Sequence, residues 1–83
     1  MIIWRCRVVS CDGGRIGHTW SEKFFFLPES ADAYAKEIIE LSNKKNPKYQ
    51  YDKDQKEIDG IYGYCNWQFM VMVVVDSCEV KND

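Results

Sequence analysis

Four cysteines and one histidine are the side chains of this 83-residue sequence best suited to nucleophilic catalysis or metal binding. Cys6 and Cys11 are separated by four residues, and Cys65 and Cys78 by twelve, so neither pair has the close spacing of a zinc ribbon or finger. Cys11 and His18 could form a nucleophile–base pair, but the end of a hairpin offers no oxyanion hole. We therefore predict reduced structural cysteines and no catalytic residue, and rank a metal site at Cys11 and His18 third among the functional hypotheses.

The glycine-rich stretch at residues 13–17, Gly-Gly-Arg-Ile-Gly, shares only its composition with a phosphate-binding loop. It lacks the Lys-Ser/Thr pair of a P-loop, and no helix is expected directly after it. Paired glycines adopt positive φ at low cost, which is typical of a hairpin turn. The stretch therefore predicts a turn, and the sequence predicts no cofactor.

A segment rich in tyrosine and acidic residues, residues 48–66, is the main candidate for contact with a partner. Tyrosine supplies rigid contact area with a polar tip at a small cost in conformational entropy. The acidic side chains could present negative charge to a basic partner, although three nearby lysines dilute it. Methionines on the predicted last strand would add adaptable apolar contacts. The predicted partner-binding residues are Tyr49, Tyr51, Tyr62, Tyr64, Met70, Met72, Asp52, Asp54 and Glu57.

The N-terminal residues 2–27 predict a β-hairpin around the glycine turn. A three-residue loop would gather the large apolar side chains on one face, with Glu22 among them as the weak point. A two-residue turn would exchange the side chains of the second strand between the faces, because a slip of one residue reverses every side chain. We prefer the first register, since it collects the apolar groups.

The preferred register places Arg5 directly opposite Lys23, which is unfavourable unless an anion lies between them. Arg5, Arg7 and Lys23 therefore define an alternative anion-binding site, with Trp20 available for stacking on a base. In the competing register Arg5 pairs with Glu22 and the basic patch disappears.

The remaining elements follow from hydrophobic periodicity. Residues 31–44 carry an apolar stripe at helical spacing, with Ser30 as the expected N-cap, and predict a helix after Pro28 ends the second strand. Residues 67–76 alternate and are rich in β-branched and aromatic side chains, which predicts a strand. Residues 48–66 could form two extended stretches or a short helix at 54–58. The C-terminus is expected to extend the last strand briefly and then to fray.

Together these elements predict a single α+β domain over residues 1–83, of order ββαβ or ββαββ, with one helix on one face of an antiparallel sheet. One helix cannot cover both faces, so a set of apolar residues would lie on an open face. In the preferred register that set is Ile3, Val9, Phe25, Leu27, Met70, Met72 and Val74. We interpret the open face as an interface with a partner or a second copy, unless residues 48–66 fold over it.

Composition and charge narrow the functional classes. A content of 46% apolar and 14% aromatic residues is typical of a folding chain, and a net charge of −2 argues against bulk electrostatic binding to nucleic acid. The N-terminus lacks the pattern of a signal peptide, and the longest apolar runs are too short to cross a bilayer. We therefore expect a cytoplasmic protein without membrane association.

The first functional hypothesis is a non-enzymatic interaction module that docks on a larger protein as an inhibitor or adaptor. Small acidic single-domain chains of this build are common among phage and mobile-element accessory proteins, including inhibitors of bacterial defence systems of the anti-CRISPR type. The alternative is a small nucleic-acid-binding module that uses the basic patch on the N-terminal hairpin.

Overall fold

The computed structural model of the protein describes residues 1–81 and contains one five-stranded sheet and one long helix. The elements in chain order are β1 (Ile2–Ser10), β2 (Thr19–Phe25), α1 (Pro28–Lys45), β3 (Lys56–Ile58), β4 (Ile61–Asn66) and β5 (Val71–Glu79). The strands are ordered β2-β1-β5-β4-β3, and all neighbours are antiparallel. The predicted α+β class, with one helix on an antiparallel sheet, is confirmed. Three strands follow the helix, where one or two were predicted.

The two long strands β1 and β5 form the centre of the sheet. They pair from Ile2 opposite Glu79 to Ser10 opposite Val71. The position of the last strand, which the sequence leaves open, is therefore beside the first. β2 and β3 form the two edges.

The predicted register of the β1–β2 hairpin is wrong. Cys6 lies opposite Lys23, so the side chains of β2 have the faces of the competing register rather than those of the preferred one. The strands are joined by residues 11–18 instead of by a tight turn at the glycines. Gly13 and Gly14, at φ 64° and 76°, form part of a short 3-10 turn within this connection. The longer connection shifts the pairing by one residue, which reverses the faces of β2.

The helix begins three residues before the predicted start at residue 31. Pro28 occupies its first turn and Leu27 the N-cap position, so Ser30 is not the cap. Proline is compatible with this position because the first turn of a helix needs no hydrogen bond from its nitrogen. Ala31 and Ala35 are buried, and their small side chains allow the helix to approach the sheet closely.

Residues 48–66 adopt neither predicted arrangement as a whole. The stretch considered for a short helix, residues 54–58, instead ends in β3, which pairs with β4 across a turn at Asp59 and Gly60. Both turn residues have positive φ, 56° and 78°, as a tight hairpin requires. Tyr62 and Tyr64 lie on β4, whereas Tyr49 and Tyr51 lie outside the sheet. The two tyrosine pairs therefore do not pair with each other.

The predicted strand at residues 67–76 is displaced along the chain. Residues 67–70 form the turn between β4 and β5, with Met70 at φ 54°, and β5 continues to Glu79. The apolar alternation runs on through the turn, so periodicity alone could not locate it. Val80 still bonds to Met1 through the backbone, N–H to carbonyl at 2.8 Å. The predicted fraying extends to Asp83, and residues 82–83 lie outside the described residues.

The sheet carries an apolar core on each face. The helix-side core contains Cys6, Ala35, Tyr51 and Val73, with Phe25 and Tyr34 among the residues packed against it. The core on the other face, which we call the helix-free core, contains Val9, Cys11, Ile58, Cys65, Met72 and Val74, with Ile16 and Ile61 packed against it. Residues 48–66 contribute Ile58 to the helix-free core and so cover part of the face that was expected to be open. Val9, Met72 and Val74 are at most 1% exposed and cannot form an interface.

Candidate functional site

The residues considered for catalysis or a metal do not form a reactive site. Cys11 and Cys65 are fully buried, whereas His18 is exposed and packs edge-on against Trp20, with ring centroids 4.6 Å apart. Burial raises the pKa of the Cys11 thiol and raises that of Cys65 to about 11, which disfavours the nucleophilic thiolate. Among residues 1–81 no three metal-ligating side chains come together. The geometry offers no support for the hypothesis of a metal site at Cys11 and His18.

The predicted basic patch is divided between the two faces of the sheet. Arg5 binds Asp76 with two hydrogen bonds, of 2.7 Å from Nε and 3.0 Å from Nη2, and its Nη1 lies 3.7 Å from Glu22. Arg7 donates to the same carboxylate of Asp76 at 3.2 Å. Lys23 lies on the helix side. Without the predicted register, the anion site expected at Arg5, Arg7 and Lys23 has no geometric basis.

The ion pairs on the helix-free face form a compact network. The Asp76 hydrogen bonds raise the pKa of Arg5, so this guanidinium remains charged. Arg7 is more enclosed, with its side chain 13% exposed, and its Nε has no hydrogen-bond partner among the described residues. On the other face, Lys23 Nζ lies 4.7 Å from the centre of the Tyr34 ring. Each cation therefore has an internal partner.

Several predicted partner-binding residues lie inside the protein. Met72 is fully buried, and Tyr51 is 8% exposed, with a pKa raised by burial. Tyr64 is half-buried and packs against the helix-side core. Met70 is half-buried in the turn, where its carbonyl accepts a hydrogen bond from the Cys11 N–H at 3.0 Å. Met72 and Tyr51 therefore support the fold and cannot contact a partner.

An exposed aromatic surface forms where the chain between α1 and β3 meets the β4–β5 turn. We call Tyr49, Asp52, Trp67 and Phe69 the turn surface. Its aromatic residues are 39%, 44% and 45% exposed in chain order. The rings of Tyr49 and Phe69 meet edge to face at 5.8 Å, and Trp67 Nε1 donates to Asp52 Oδ2 at 2.7 Å. These contacts hold exposed rings in defined orientations.

Asn66 positions this surface from within. Its side chain is fully buried, donates from Nδ2 to the Tyr49 carbonyl at 3.0 Å and accepts at Oδ1 from the Phe69 N–H at 3.3 Å. One amide thereby joins the two chain segments that carry the aromatic rings. Because an unpaired amide is costly to bury, both bonds matter for the position of the rings.

Trp67, Phe69 and Asn66 belong to this surface but are absent from the predicted partner-binding residues. The strand predicted at residues 67–76 includes both aromatic residues, so their place in a turn was not expected. The available signal was Asn66, because asparagine commonly bonds to the backbone a few residues further on and so initiates turns.

The other predicted acidic and tyrosine residues lie on or beside the β3–β4 hairpin. Glu57 lies opposite Tyr62, which is 59% exposed, and a hydrogen bond to Glu57 raises the pKa of the Tyr62 hydroxyl. Asp54 is exposed just before β3. The hairpin therefore presents one further aromatic ring with a carboxylate at its tip.

A groove runs between α1 and the chain that precedes β3. It has a volume of about 240 Å³, and Tyr51, Tyr64 and Asp52 contribute to its wall. Small-molecule sites usually have a volume of about 300–1,000 Å³ and carry a few convergent polar groups. Here Lys36 and Lys53 offset the acidic side chains of the wall. The groove is therefore a poor candidate for a small-molecule site. The exposed turn surface is the better candidate for a functional contact.

Comparisons with protein-family models, with curated proteins and with solved structures find no match to this chain. Within residues 1–81, no helix combines the length and the apolar character needed to cross a bilayer.

Proposed function

We propose that this chain is a non-enzymatic interaction module that docks on a larger protein as an inhibitor or adaptor. The observation that carries the proposal is the turn surface, where Tyr49, Trp67 and Phe69 are exposed yet held by specific contacts. Rigid exposed aromatic residues are typical of the few positions that dominate binding energy at protein interfaces. Because these rings are already ordered, little conformational entropy would be lost on binding.

The charge around the turn surface is mixed, because Lys53 and Lys56 alternate with the carboxylates and Lys48 Nζ lies 5.8 Å from the centre of the Tyr49 ring. Asp52 lies within the surface, and Asp54 and Glu57 follow along the chain towards the β3–β4 hairpin. Such charges steer association and select partners more than they add affinity. A phage or mobile-element inhibitor of a bacterial nucleic-acid-binding complex, of the anti-CRISPR type, would use these carboxylates, since such complexes carry basic surfaces.

Binding to nucleic acid through Arg5, Arg7 and Lys23 is the weaker alternative. Both arginines are bound to Asp76, and Lys23 lies against Tyr34 on the opposite face. A phosphate would have to displace these internal partners, at the cost of leaving Asp76 without a cation.

The test compares baits that differ only at the turn surface. Wild type and a Tyr49→Ala, Phe69→Ala double variant are used to capture proteins from a bacterial lysate, and the captured protein is then purified for affinity measurement. Leu41→Ala removes a side chain of similar exposure, 53%, from the helix and serves as the control. We expect the double variant to weaken binding at least about tenfold and the control to bind like wild type.

A second variant examines the charge. Asp52→Asn keeps an oxygen for Trp67 but removes the negative charge, so we expect weaker binding at low salt and a smaller dependence on salt. A partner bound equally by wild type and by the double variant would show that the turn surface is not the docking site.

A further inference from the structure

The two edges of the sheet differ in how they are protected from pairing with another strand. Natural sheets protect edges by short strands, prolines, lysines that project from the edge, or bulges. β3 has three residues, and its length alone limits pairing. β2 has seven residues, of which all except Phe25 are exposed. β2 is therefore the edge that needs one of the other protections.

The sequence of β2 supplies little of that protection. Thr19–Phe25 contains no proline, and its bulge lies at Trp20, which has no partner on β1 between Ser21 opposite Val8 and Thr19 opposite Val9. Lys23, its one basic residue, has its ammonium group 4.7 Å from the Tyr34 ring on the helix side. Its charge therefore lies over the face of the sheet and does not project beyond the edge. The backbone groups on the edge of β2 that faces away from β1 are available for a further ladder of hydrogen bonds.

Large apolar side chains surround this edge. The residues are Met1 (61% exposed), Ile2 (62%), Trp20 (64%), Phe24 (50%), Phe26 (78%) and Leu27 (58%). Phe24 and Phe26 also line a groove of about 230 Å³ with Met1, Ile3, Phe25 and Val80. By strand alternation Ile2 lies on the helix side with Cys6, whereas Phe24, opposite Arg5, lies on the helix-free side, so the set's exposed area, on the order of 700 Å², is divided between the two faces. A strand paired with this edge would bury the part that borders β2.

We propose that two copies of this chain associate through antiparallel pairing of their β2 strands, which would form a continuous ten-stranded sheet. A two-fold axis perpendicular to the sheet places the helix-free faces of both copies on the same side of the joined sheet. Each β2 strand then pairs with an identical strand, so it has to be complementary to itself. The apolar side chains that border β2 would be buried in the dimer, and the backbone ladder supplies direction and alignment.

The side chains of β2 favour a two-fold axis at Glu22. This axis brings Phe24 of each copy beside the bulged Trp20 of the other, and cross-strand aromatic contacts are stabilising. The two Glu22 side chains would face each other, but each has its own Arg5 at 3.7 Å. An axis at Lys23 would oppose two lysines and separate the aromatic pairs.

The charge at the edge fits a second copy better than a strongly charged partner. Arg5 offsets Glu22 within one chain, so the aromatic stripe of β2 has little net charge to offer a basic or an acidic strand. The dimer interface and the turn surface use different residues, and the dimer proposal does not depend on the proposed docking function.

The first experiment measures the solution mass by sedimentation equilibrium at 1–100 µM protein (on the order of commonly measured dimer affinities). We expect a concentration-dependent shift from the 9.8 kDa chain to twice that mass. Phe24→Glu should raise the dimer dissociation constant at least about tenfold, since it removes both central aromatic pairs. Leu41→Glu, on the exposed side of α1, is the control and should leave the dimer intact. Circular dichroism verifies that each variant is folded.

The second experiment locates the axis by cross-linking in a Cys78→Ser background, which removes the half-exposed native thiol. In the proposed register, Glu22→Cys places two thiols opposite each other across the axis, so copper-phenanthroline oxidation should give a covalent dimer. Lys23→Cys should not cross-link to a comparable extent. A folded wild type that remains monomeric at 100 µM, or a dimer unaffected by Phe24→Glu, would overturn the proposal. Preferential cross-linking through Lys23→Cys would overturn the axis at Glu22.

Discussion

The two halves of the helix-free face differ in exposure. In the half next to the 11–18 connection, Val9, Met72 and Val74 are at most 1% exposed. In the half next to the chain termini, Phe24 is 50% exposed and Met1 is 61% exposed. On β1 and β5 the pattern changes between the halves, because Val9, Met72 and Val74 give way to Arg5 and Asp76 towards the termini.

The difference in exposure comes from the residues that pack over each half of the face. Ile16 from the connection and Ile58 from β3 pack over the buried half. The bound carboxylate of Asp76, with Arg5 and Arg7, lies between this core and the exposed end. Beyond these ion pairs, the edge residues Phe24 and Phe26 remain exposed. Whether an apolar side chain on this face is buried therefore depends on a few residues that are distant in sequence.

The largest expected effect separates the two halves directly. Met72→Ala leaves a cavity in the helix-free core and should lower the free energy of unfolding by about 2–5 kcal/mol. Phe24→Ala, in the exposed half, should change it by about 0.5 kcal/mol at concentrations that keep the protein monomeric. Urea denaturation followed by tryptophan fluorescence measures both. Equal losses of unfolding free energy from Met72→Ala and Phe24→Ala would contradict the division of the helix-free face into a buried and an exposed half.

The next effect concerns the ion pairs between the halves. Asp76→Ala removes the acceptor for both Arg5 and Arg7 and should cost about 1.5–3 kcal/mol in unfolding free energy. Asp54→Ala, at an exposed acidic position, is the matched control and should have little effect. The same urea titration applies. If Asp76→Ala and Asp54→Ala lower the unfolding free energy by equally small amounts, the ion pairs of Asp76 do not contribute to the stability of the protein.

The effect that is smallest per unit of the varied condition compares the thiols in the two cores, each at most about 1.4 kcal/mol per pH unit. Burial raises the pKa of Cys6, in the helix-side core, and of Cys65, in the helix-free core, to about 11 from 9.0. The unfolded chain loses these protons first as pH rises, so the stability from the neutral buried thiols is complete below pH 9 and is lost between about pH 9 and 11. Each thiol should then reduce the unfolding free energy by at most about 1.4 kcal/mol per pH unit.

Variants of the two cysteines test whether their thiols cause this pH dependence. Cys6→Ala and Cys65→Ala should each make the fall of stability above pH 9 shallower, and the double variant should make it shallower still. Urea midpoints measured from pH 8 to 10.5 give the slope. A slope that is the same in wild type and in the double variant would show that these thiols are not responsible.

Local pattern was informative where neighbours in sequence set the structure. The helix stripe at residues 31–44 lies within α1, and the alternation of residues 71–76 lies within β5. The pattern failed at the ends of elements, where Pro28 opens the helix and residues 67–70 turn the chain. Among the predicted contact residues, Tyr49 and Tyr62 are exposed, whereas Tyr51 and Met72 are buried. Their side chains alone could not distinguish these positions, because exposure depends on which segments pack above them.

By itself, the sequence determined the α+β class, the single long helix, the N-terminal hairpin and the strand character of most of β5, because these depend on periodicity and turn residues within short stretches. Only the tertiary structure decided the hairpin register, the central place of β5, the pairing of Arg5 and Arg7 with Asp76, and the grouping of Tyr49 with Trp67 and Phe69. Each of these contacts joins residues that many different chain paths could bring together. The free energy that selects among those paths comes from packing across the whole sheet, which no local window of the sequence contains.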